Sequence, residues 1–390
     1  MKICAIICEY NPFHNGHKYL IEQAKMLSCC DAVLCLMSGS FTQRGEAAIL
    51  PKFLRAEHAV KGGADCVIQL PAAFSVAPAE IFASGAISIL KRIPAVKCLA
   101  FGSENADCAE IAKAVDIMSG EKFNKAVAEN LESGTSYKRS LSSALQKFGA
   151  DEKLVTSPNG VLALEYAKAI KNTGADIKIL PIQRKGAGYN DSGLKDEFSS
   201  ASAIRANLND EKVAENVPPY VFEALQKTDT VGAALRADAL IRYALSESEK
   251  KDMARIFGCS EGLENKLKAD MNLTAEELIA CATNKRYTSS RIRRILTANM
   301  LKLYSDDVKR YISEGTYIRP LAIRGSLKDE IFAEFARSEL PVIIKKMSLA
   351  ELTDGNCAAR NCYSADLRAD FVRALIFNES PEYEYTVRII

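Results

Sequence analysis

The chain has 390 residues, of which 48% are hydrophobic and 26% charged, a composition typical of globular proteins with a sizeable core. Its net charge of +2 excludes a basic surface over the whole molecule, so any nucleic-acid footprint must be local. No apolar run approaches the ~18–20 residues that cross a bilayer, and the first is too short for a signal peptide. We expect a cytoplasmic protein without a membrane partner. The twelve cysteines lack zinc-site spacing, which predicts small buried side chains and no metal site.

The first two hundred residues alternate between short apolar runs and amphipathic segments. The apolar runs predict strands at residues 3–8, 32–37, 66–70, 96–101 and 177–182. The amphipathic segments predict helices at residues 19–26, 52–61 and 78–91. This alternation indicates an α/β domain with a parallel sheet, whose ligands bind at the carboxyl ends of the strands.

The pattern breaks at two consecutive prolines, Pro218 and Pro219. Residues 220–312 have almost wholly helical spacing, and the tail suggests a strand at 317–323, a helix at 329–338 and strands at 342–346 and 385–390. We therefore predict a Rossmann-like parallel-sheet domain over residues 1–215. A largely helical C-terminal region with a small α/β end follows over residues 216–390.

Two of the three histidines lie between the first predicted strand and the first predicted helix. They belong to the segment Glu9-Tyr10-Asn11-Pro12-Phe13-His14-Asn15-Gly16-His17. A helix N-terminus attracts anions, and Gly16 lets the backbone approach a ligand because it has no Cβ. The imidazoles of His14 and His17 add hydrogen-bond donors for phosphate oxygens. The segment therefore predicts a phosphate-handling site, with these two histidines as catalytic residues that stabilise developing charge.

This histidine segment resembles the signature of the nucleotidyltransferase superfamily. More closely, it is similar to the bacterial tRNA(Met) cytidine acetate ligases, as are the motifs at residues 37–46, 101–104 and 157–160. The resemblance implies a nucleotidyltransferase fold and ATP-dependent activation of acetate as acetyl-adenylate. It further implies transfer of the acetyl group to the wobble cytidine of elongator tRNA(Met), which forms N4-acetylcytidine. ATP and acetate are then substrates, with Mg²⁺ expected to accompany ATP.

The same resemblance implies the residues that bind ATP. They are Ile7, Cys8, Glu9, Tyr10, Asn11, Phe13, His14, Gly16, His17, Gly102, Asn159, Arg184 and Arg205. Arg205 follows a serine cluster at residues 199–202, so it is either a phosphate ligand or the solvent-facing residue of a capped helix. Lys52 and Arg55 share one face of a predicted helix, and we expect both to be solvated.

A basic strip near residue 290 predicts a local RNA-binding surface. It carries five cations and no acid, namely Lys285, Arg286, Arg291, Arg293 and Arg294. Arginine in the first turn of a helix opposes the helix dipole, which favours an anionic partner over a merely solvated face.

Two other functions stay open on the sequence. The chain could be an adenylyltransferase for a phosphorylated small molecule, although Glu9 replaces the usual glycine and the C-terminal half is long. It could also be a non-catalytic RNA-binding protein with a nucleotide fold, although the histidine pair is intact.

Overall fold

The computed structural model describes residues 1–104, 107–133, 135–185, 193–194, 197–284, 286–345, 352, 357–381 and 386–390. Its strands are β1 Ile3–Cys8, β2 Ala32–Ser38, β3 Cys66–Leu70, β4 Val96–Ser103, β5 Lys178–Gln183, β6 Pro320–Ile323 and β7 Arg388–Ile389. All of them belong to one sheet in the order β5-β4-β1-β2-β3-β6-β7. The first five strands run parallel, β6 runs antiparallel to β3, and β7 runs parallel to β6. The predicted α/β fold class is confirmed.

Helices cover both faces of the sheet and form most of the C-terminal half. In the first half they are α1 Asn15–Leu27, α2 Lys52–Lys61, α3 Ala72–Ser75, α4 Ala79–Leu90, α5 Cys108–Met118, α6 Glu121–Glu132, α7 Tyr137–Lys147, α8 Lys153–Thr156, α9 Pro158–Thr173, α10 Ala201–Ala206 and α11 Val213–Asn216. In the second half they are α12 Pro219–Leu225, α13 Thr230–Glu247, α14 Lys250–Met253, α15 Leu263–Ala269, α16 Ala275–Ala282, α17 Ser289–Leu301, α18 Ser305–Glu314, α19 Lys328–Ala336 and α20 Cys357–Phe377, with a 3₁₀ turn at Gly325–Leu327.

The core explains why the parallel strands are apolar on both faces. Side chains alternate along β1, so that Ile3, Ala5 and Ile7 pack into one buried cluster while Cys4 and Ile6 pack into another. The first cluster includes residues of α4 and α9, and the second includes residues of α1 and α2. The sheet is therefore the middle layer of a three-layer arrangement, with the carboxyl ends of its strands left for a ligand.

The described part of residues 220–312 is mostly helical, as predicted, and the chain then returns to the sheet. The strand predicted at 342–346 is wrong over its described residues 342–345. Val342 forms a single bridge to Ile318, and Ile343 donates its N–H to the Ile318 carbonyl at 2.8 Å. Pro341 precedes the bridge and has no N–H to lengthen the ladder. The domain boundary at 215/216 stays a prediction, while β6 and β7 extend the sheet that β1 begins.

No helix in the described ranges combines the length and apolarity needed to cross a membrane.

The expectation that Lys52 and Arg55 are solvated is wrong, since both side chains are fully buried. The Lys52 ammonium pairs with the carboxylate of Asp370 on α20, which also accepts a hydrogen bond from the Ser40 hydroxyl at 2.7 Å. A buried charge needs such a partner, because desolvation alone would expel it from the core. The pair fastens α20 to the start of α2, and the Ser40 bond adds the loop that follows β2.

Arg55 joins the ends of two neighbouring strands. Its guanidinium donates to the backbone carbonyls of Ser38 at 3.1 Å, of Gly39 and of Glu9. Its Nε donates to the Leu50 carbonyl at 3.0 Å. Arg55 therefore satisfies carbonyls that the ends of β1 and β2 would otherwise leave unpaired.

Candidate active site

A cleft of about 170 Å³ opens at the carboxyl ends of β1, β4 and β5. In a sheet of this order, the chain crosses from one side of β1 to the other, and the crevice at that switch point is the usual ligand site. The cleft is lined by Ile7, Cys8, Tyr10, His14, Gly16, His17, Tyr19, Leu20, Phe101, Gly102, Asn159, Leu162, Tyr166, Ile182, Gln183, Arg184 and Lys185.

The two histidines cap α1 reciprocally. His14 is the N-cap residue, and its Nδ1 accepts the N–H of Gly16 at 3.1 Å. The Nδ1 of His17 accepts the N–H of His14 at 3.3 Å. Their rings stack with centroids 3.6 Å apart. Because both Nδ1 atoms accept, a neutral ring must carry its proton on Nε2, which leaves one donor on each imidazole for a ligand.

Burial keeps both imidazoles uncharged. Desolvation, assisted by the cation of Arg184, lowers the pKa of His14 to about 3. Desolvation also lowers the pKa of His17 well below its usual range, with smaller contributions from His14 and Arg184. Near neutral pH the pair therefore offers N–H donors that are fixed in place, the kind of group that stabilises charge as it develops on phosphoryl oxygens.

The rings of Tyr10 and Phe13 pack against the ring of His17. Tyr10 adopts a left-handed backbone conformation (φ 47°), and its ring lies 4.7 Å from that of His17. The Tyr10 hydroxyl lies 3.2 Å from the Cys35 sulfur. The Phe13 ring lies 5.9 Å from His17 and is fully buried. A residue other than glycine with positive φ is strained, and such strain persists where the surroundings fix a functional geometry.

Gly102, Asn159 and Arg184 also line the cleft, and the family resemblance predicts all three to bind ATP. A Cβ on Gly102 would lie 3.2 Å from Cγ of Arg184, so glycine leaves room for that side chain. Lys185 also lines the cleft, with its ammonium 4.5 Å from the centre of the Tyr19 ring. Neither Lys185 nor Tyr19 was predicted as a site residue, although Lys185 is adjacent to Arg184 and Tyr19 lies in the second turn of α1.

Glu9, Asn11, Phe13 and Arg205 do not line this cleft. The Glu9 carboxylate accepts the N–H of Gln43 at 2.6 Å, and burial raises its pKa. The Asn11 carbonyl accepts from Arg205 at 2.7 Å, and Arg205 also pairs with Glu46 at 3.3 Å. These four residues brace the histidine segment, and their contacts with ATP stay predictions.

The arginines of the basic strip have intramolecular partners. Arg286 pairs with Glu261 at 3.0 Å, and Arg293 pairs with Glu276 at 2.7 Å. Arg291 donates twice to the Gly258 carbonyl, at 2.7 and 3.0 Å. Lys285 lies outside the described residues.

The fourth described arginine of the strip contacts the loop of residues 42–46. Arg294 donates to the Gln43 carbonyl at 3.4 Å, and burial lowers its pKa to about 10. Thr297, one turn further along α17, donates to the Gly45 carbonyl at 2.6 Å. The strip is therefore anchored to a loop that also reaches Glu9, and its role in RNA binding stays a prediction.

Comparison with known proteins shows that the chain has a nucleotidyltransferase domain. A family model described as HIGH Nucleotidyl Transferase matches residues 1–386. The tRNA(Met) cytidine acetate ligase of Thermoanaerobacter sp. (strain X514) is 36% identical and that of Clostridium perfringens (strain ATCC 13124) is 34% identical. The alignments cover 97% and 93% of this chain and 98% and 95% of those proteins, respectively. The chain belongs to the tRNA(Met) cytidine acetate ligase family, which confirms the resemblance that its motifs carry.

Two crystal structures of Thermotoga maritima TmcAL share the fold. The apo form aligns with a TM-score of 0.89 at 28% identity, over the whole of both chains. A form bound with alpha-thio ATP aligns with a TM-score of 0.84 at 29% identity, over 97% of this chain and 95% of that chain.

Proposed function

We propose that this protein is an ATP-dependent tRNA(Met) cytidine acetate ligase that works in the cytoplasm. The observation that carries the proposal is the stacked, uncharged pair of buried His14 and half-buried His17, which leaves two N–H donors at the start of α1. The relatives' name supplies the substrates, and the neighbour with a bound ATP analogue supports ATP as the nucleotide.

In the first proposed step, an oxygen of the acetate carboxylate attacks the α-phosphorus of ATP. The bond from that phosphorus to the bridging oxygen breaks, and pyrophosphate leaves with the electron pair. His14 and His17 stabilise the negative charge on the α-phosphoryl oxygens, while Arg184 and Lys185 supply positive charge at the same cleft. The helix N-terminus adds its own partial positive charge.

In the second proposed step, the exocyclic amine of the wobble cytidine attacks the carbonyl carbon of acetyl-adenylate. The bond between that carbon and the phosphate oxygen breaks, AMP leaves, and the amine loses a proton. The wobble base lies in a single-stranded anticodon loop, so a protein can reach it without opening a duplex. We assign tRNA binding to residues 216–390, with the basic strip as one contact.

Mg²⁺ accompanies ATP in this proposal but has no evident protein ligand. Along the described part of the cleft no residue carries a carboxylate, and the described residues contain no cluster of three or more candidate metal ligands. Protein sites for Mg²⁺ normally use one or two carboxylates in addition to phosphates. The residues present do not fit a protein-held ion, so we assign no step to the metal.

Pyrophosphate exchange into ATP tests the proposal with a panel of small acids, with and without tRNA. Exchange that depends on acetate and needs no tRNA is the expected result. Exchange only with phosphorylated substrates would instead indicate an adenylyltransferase for small molecules. Tight tRNA binding with no exchange for any acid would indicate a non-catalytic RNA-binding protein.

A further inference from the structure

Asn159 is placed between the cleft and a second cavity. It lines the cleft, whereas its neighbours Ser157 and Gly160 line a separate cavity of about 240 Å³. Glu104, which follows β4, belongs to this second cavity. Glu104 can therefore hydrogen-bond the side chain of Asn159 without lining the cleft itself.

Glu104 makes three hydrogen bonds to two neighbouring elements. Its Oε1 accepts from Nδ2 of Asn159 at 2.6 Å, and its Oε2 accepts from the Ser157 hydroxyl at 3.2 Å. Its backbone carbonyl accepts from Nε2 of Gln183 at 3.1 Å. The carboxylate thus ties the start of α9 to the end of β4, and the carbonyl adds the end of β5.

These bonds fix which end of the Asn159 amide is free. A carboxylate can only accept hydrogen bonds, so the NH₂ group of Asn159 must face Glu104. The carbonyl oxygen of the same amide then points away from Glu104. Asn159 lines the cleft, so this oxygen is an acceptor that a ligand in the cleft can meet with a donor.

We infer that Glu104 is a positioning residue that acts through Asn159 and makes it an acceptor for the nucleoside of ATP. The inference rests on the proposed function. Adenosine offers two kinds of donor, the exocyclic amine of the base and the ribose hydroxyls. The amine would make the site select adenine, because guanine carries a carbonyl acceptor at that position.

A double-mutant cycle on the full chain tests the inference through the KM for ATP in acetate-dependent exchange. Asn159→Ala removes the proposed hydrogen bond to ATP, and Glu104→Ala removes the carboxylate that orients the Asn159 amide. Each variant should raise KM for ATP about tenfold and leave kcat within about twofold. The double variant is no worse than Asn159→Ala. Glu104→Gln, which keeps an accepting oxygen, lies closer to wild type. Lys153→Ala, in the same second cavity, is the matched control and leaves KM unchanged.

Nucleotide analogues then identify the donor. Purine riboside triphosphate lacks the exocyclic amine, and 2′-deoxy-ATP lacks one ribose hydroxyl. In the wild type, the analogue that lacks the donor to Asn159 has a higher KM than ATP. In Asn159→Ala, the KM of that analogue equals the KM of ATP. Additive effects of the two alanine variants, or an equal penalty for both analogues in both proteins, would overturn the inference and leave the proposed ATP site intact. An unchanged KM in Asn159→Ala would overturn the inference and the assignment of Asn159 to the ATP site.

Discussion

Replacing His17 with alanine separates the chemistry of the histidine pair from its role in capping α1. The substitution removes one fixed N–H donor from the cleft. Loss of a single preorganised donor of this kind costs about 3–4 kcal/mol, or a fall of about 10²–10³ in rate. It also removes the acceptor for the His14 N–H, and loss of a helix cap costs about 1 kcal/mol of stability.

His17→Gln distinguishes the two effects. Glutamine at the third helical position reaches back to the N-cap N–H in ordinary capping boxes, so this variant should unfold near the wild-type urea midpoint. Its amide does not reproduce the imidazole Nε2 donor stacked on His14, so we expect exchange to remain at least about tenfold below wild type. Affinity for tRNA should be unchanged in both variants.

The assay is acetate-dependent pyrophosphate exchange, expressed per folded molecule after urea titration. His58→Ala is the matched control, because His58 is a buried histidine that lies on α2 against Tyr220. It should lose stability and keep its exchange rate per folded molecule. If the rate of His17→Ala fell only with its folded fraction, or if only KM for ATP changed, the histidine would not stabilise the transition state.

Three further predictions concern pH, the core and the basic strip. Burial lowers the pKa of His14 from 6.5 to about 3, so protonation favours the unfolded chain. The contribution of His14 to stability is therefore fully present above about pH 6.5, and stability falls by up to about 1.4 kcal/mol per pH unit below it. The exchange rate should show no histidine inflection between about pH 6 and 8. Urea unfolding as a function of pH and a pH–rate profile check this, and an acid limb near pH 6.5 in the rate contradicts it. Asp370→Ala removes the carboxylate that pairs with the buried ammonium of Lys52 and should cost about 3–5 kcal/mol in urea unfolding. Lys52→Met with Asp370→Leu should recover most of this loss, and a loss below about 1 kcal/mol for the single variant argues against the buried pair. Arg286→Ala should weaken tRNA binding and reduce the slope of log K against log salt by about 0.7–0.9 without affecting exchange; an unchanged slope in salt-dependent binding removes this arginine from the RNA surface.

The parallel strands and the histidine site could be predicted because each depends on residues close together in the sequence. A strand buried on both faces must be apolar throughout, as Ile3–Cys8 is. A strand followed by a glycine-containing turn and a helix places its ligand groups within one short segment. Local pattern alone therefore located β1 and the His14/His17 pair. It placed the start of α1 four residues late, at residue 19 instead of Asn15, so that His17 lies inside the helix.

Contacts between distant segments had no such signal. Lys52 meets Asp370 across 318 residues, and a lysine at a helix start is usually solvated, so its burial could not be predicted. The partners of the basic strip could not be predicted because they come from other segments. They are the carboxylates of Glu261 and Glu276 and backbone carbonyls such as that of Gly258. The tie between Glu104 and Asn159 likewise depends on how α9 packs beside β4.

Exchange of labelled pyrophosphate into ATP by the wild-type protein, with acetate and without tRNA, measures directly whether the cleft activates acetate. Activation of acetate in the cleft of His14 and His17 predicts robust exchange that requires acetate and falls about 10²–10³-fold in His17→Ala. Absence of exchange with acetate, in a folded protein that binds ATP and tRNA, would contradict it.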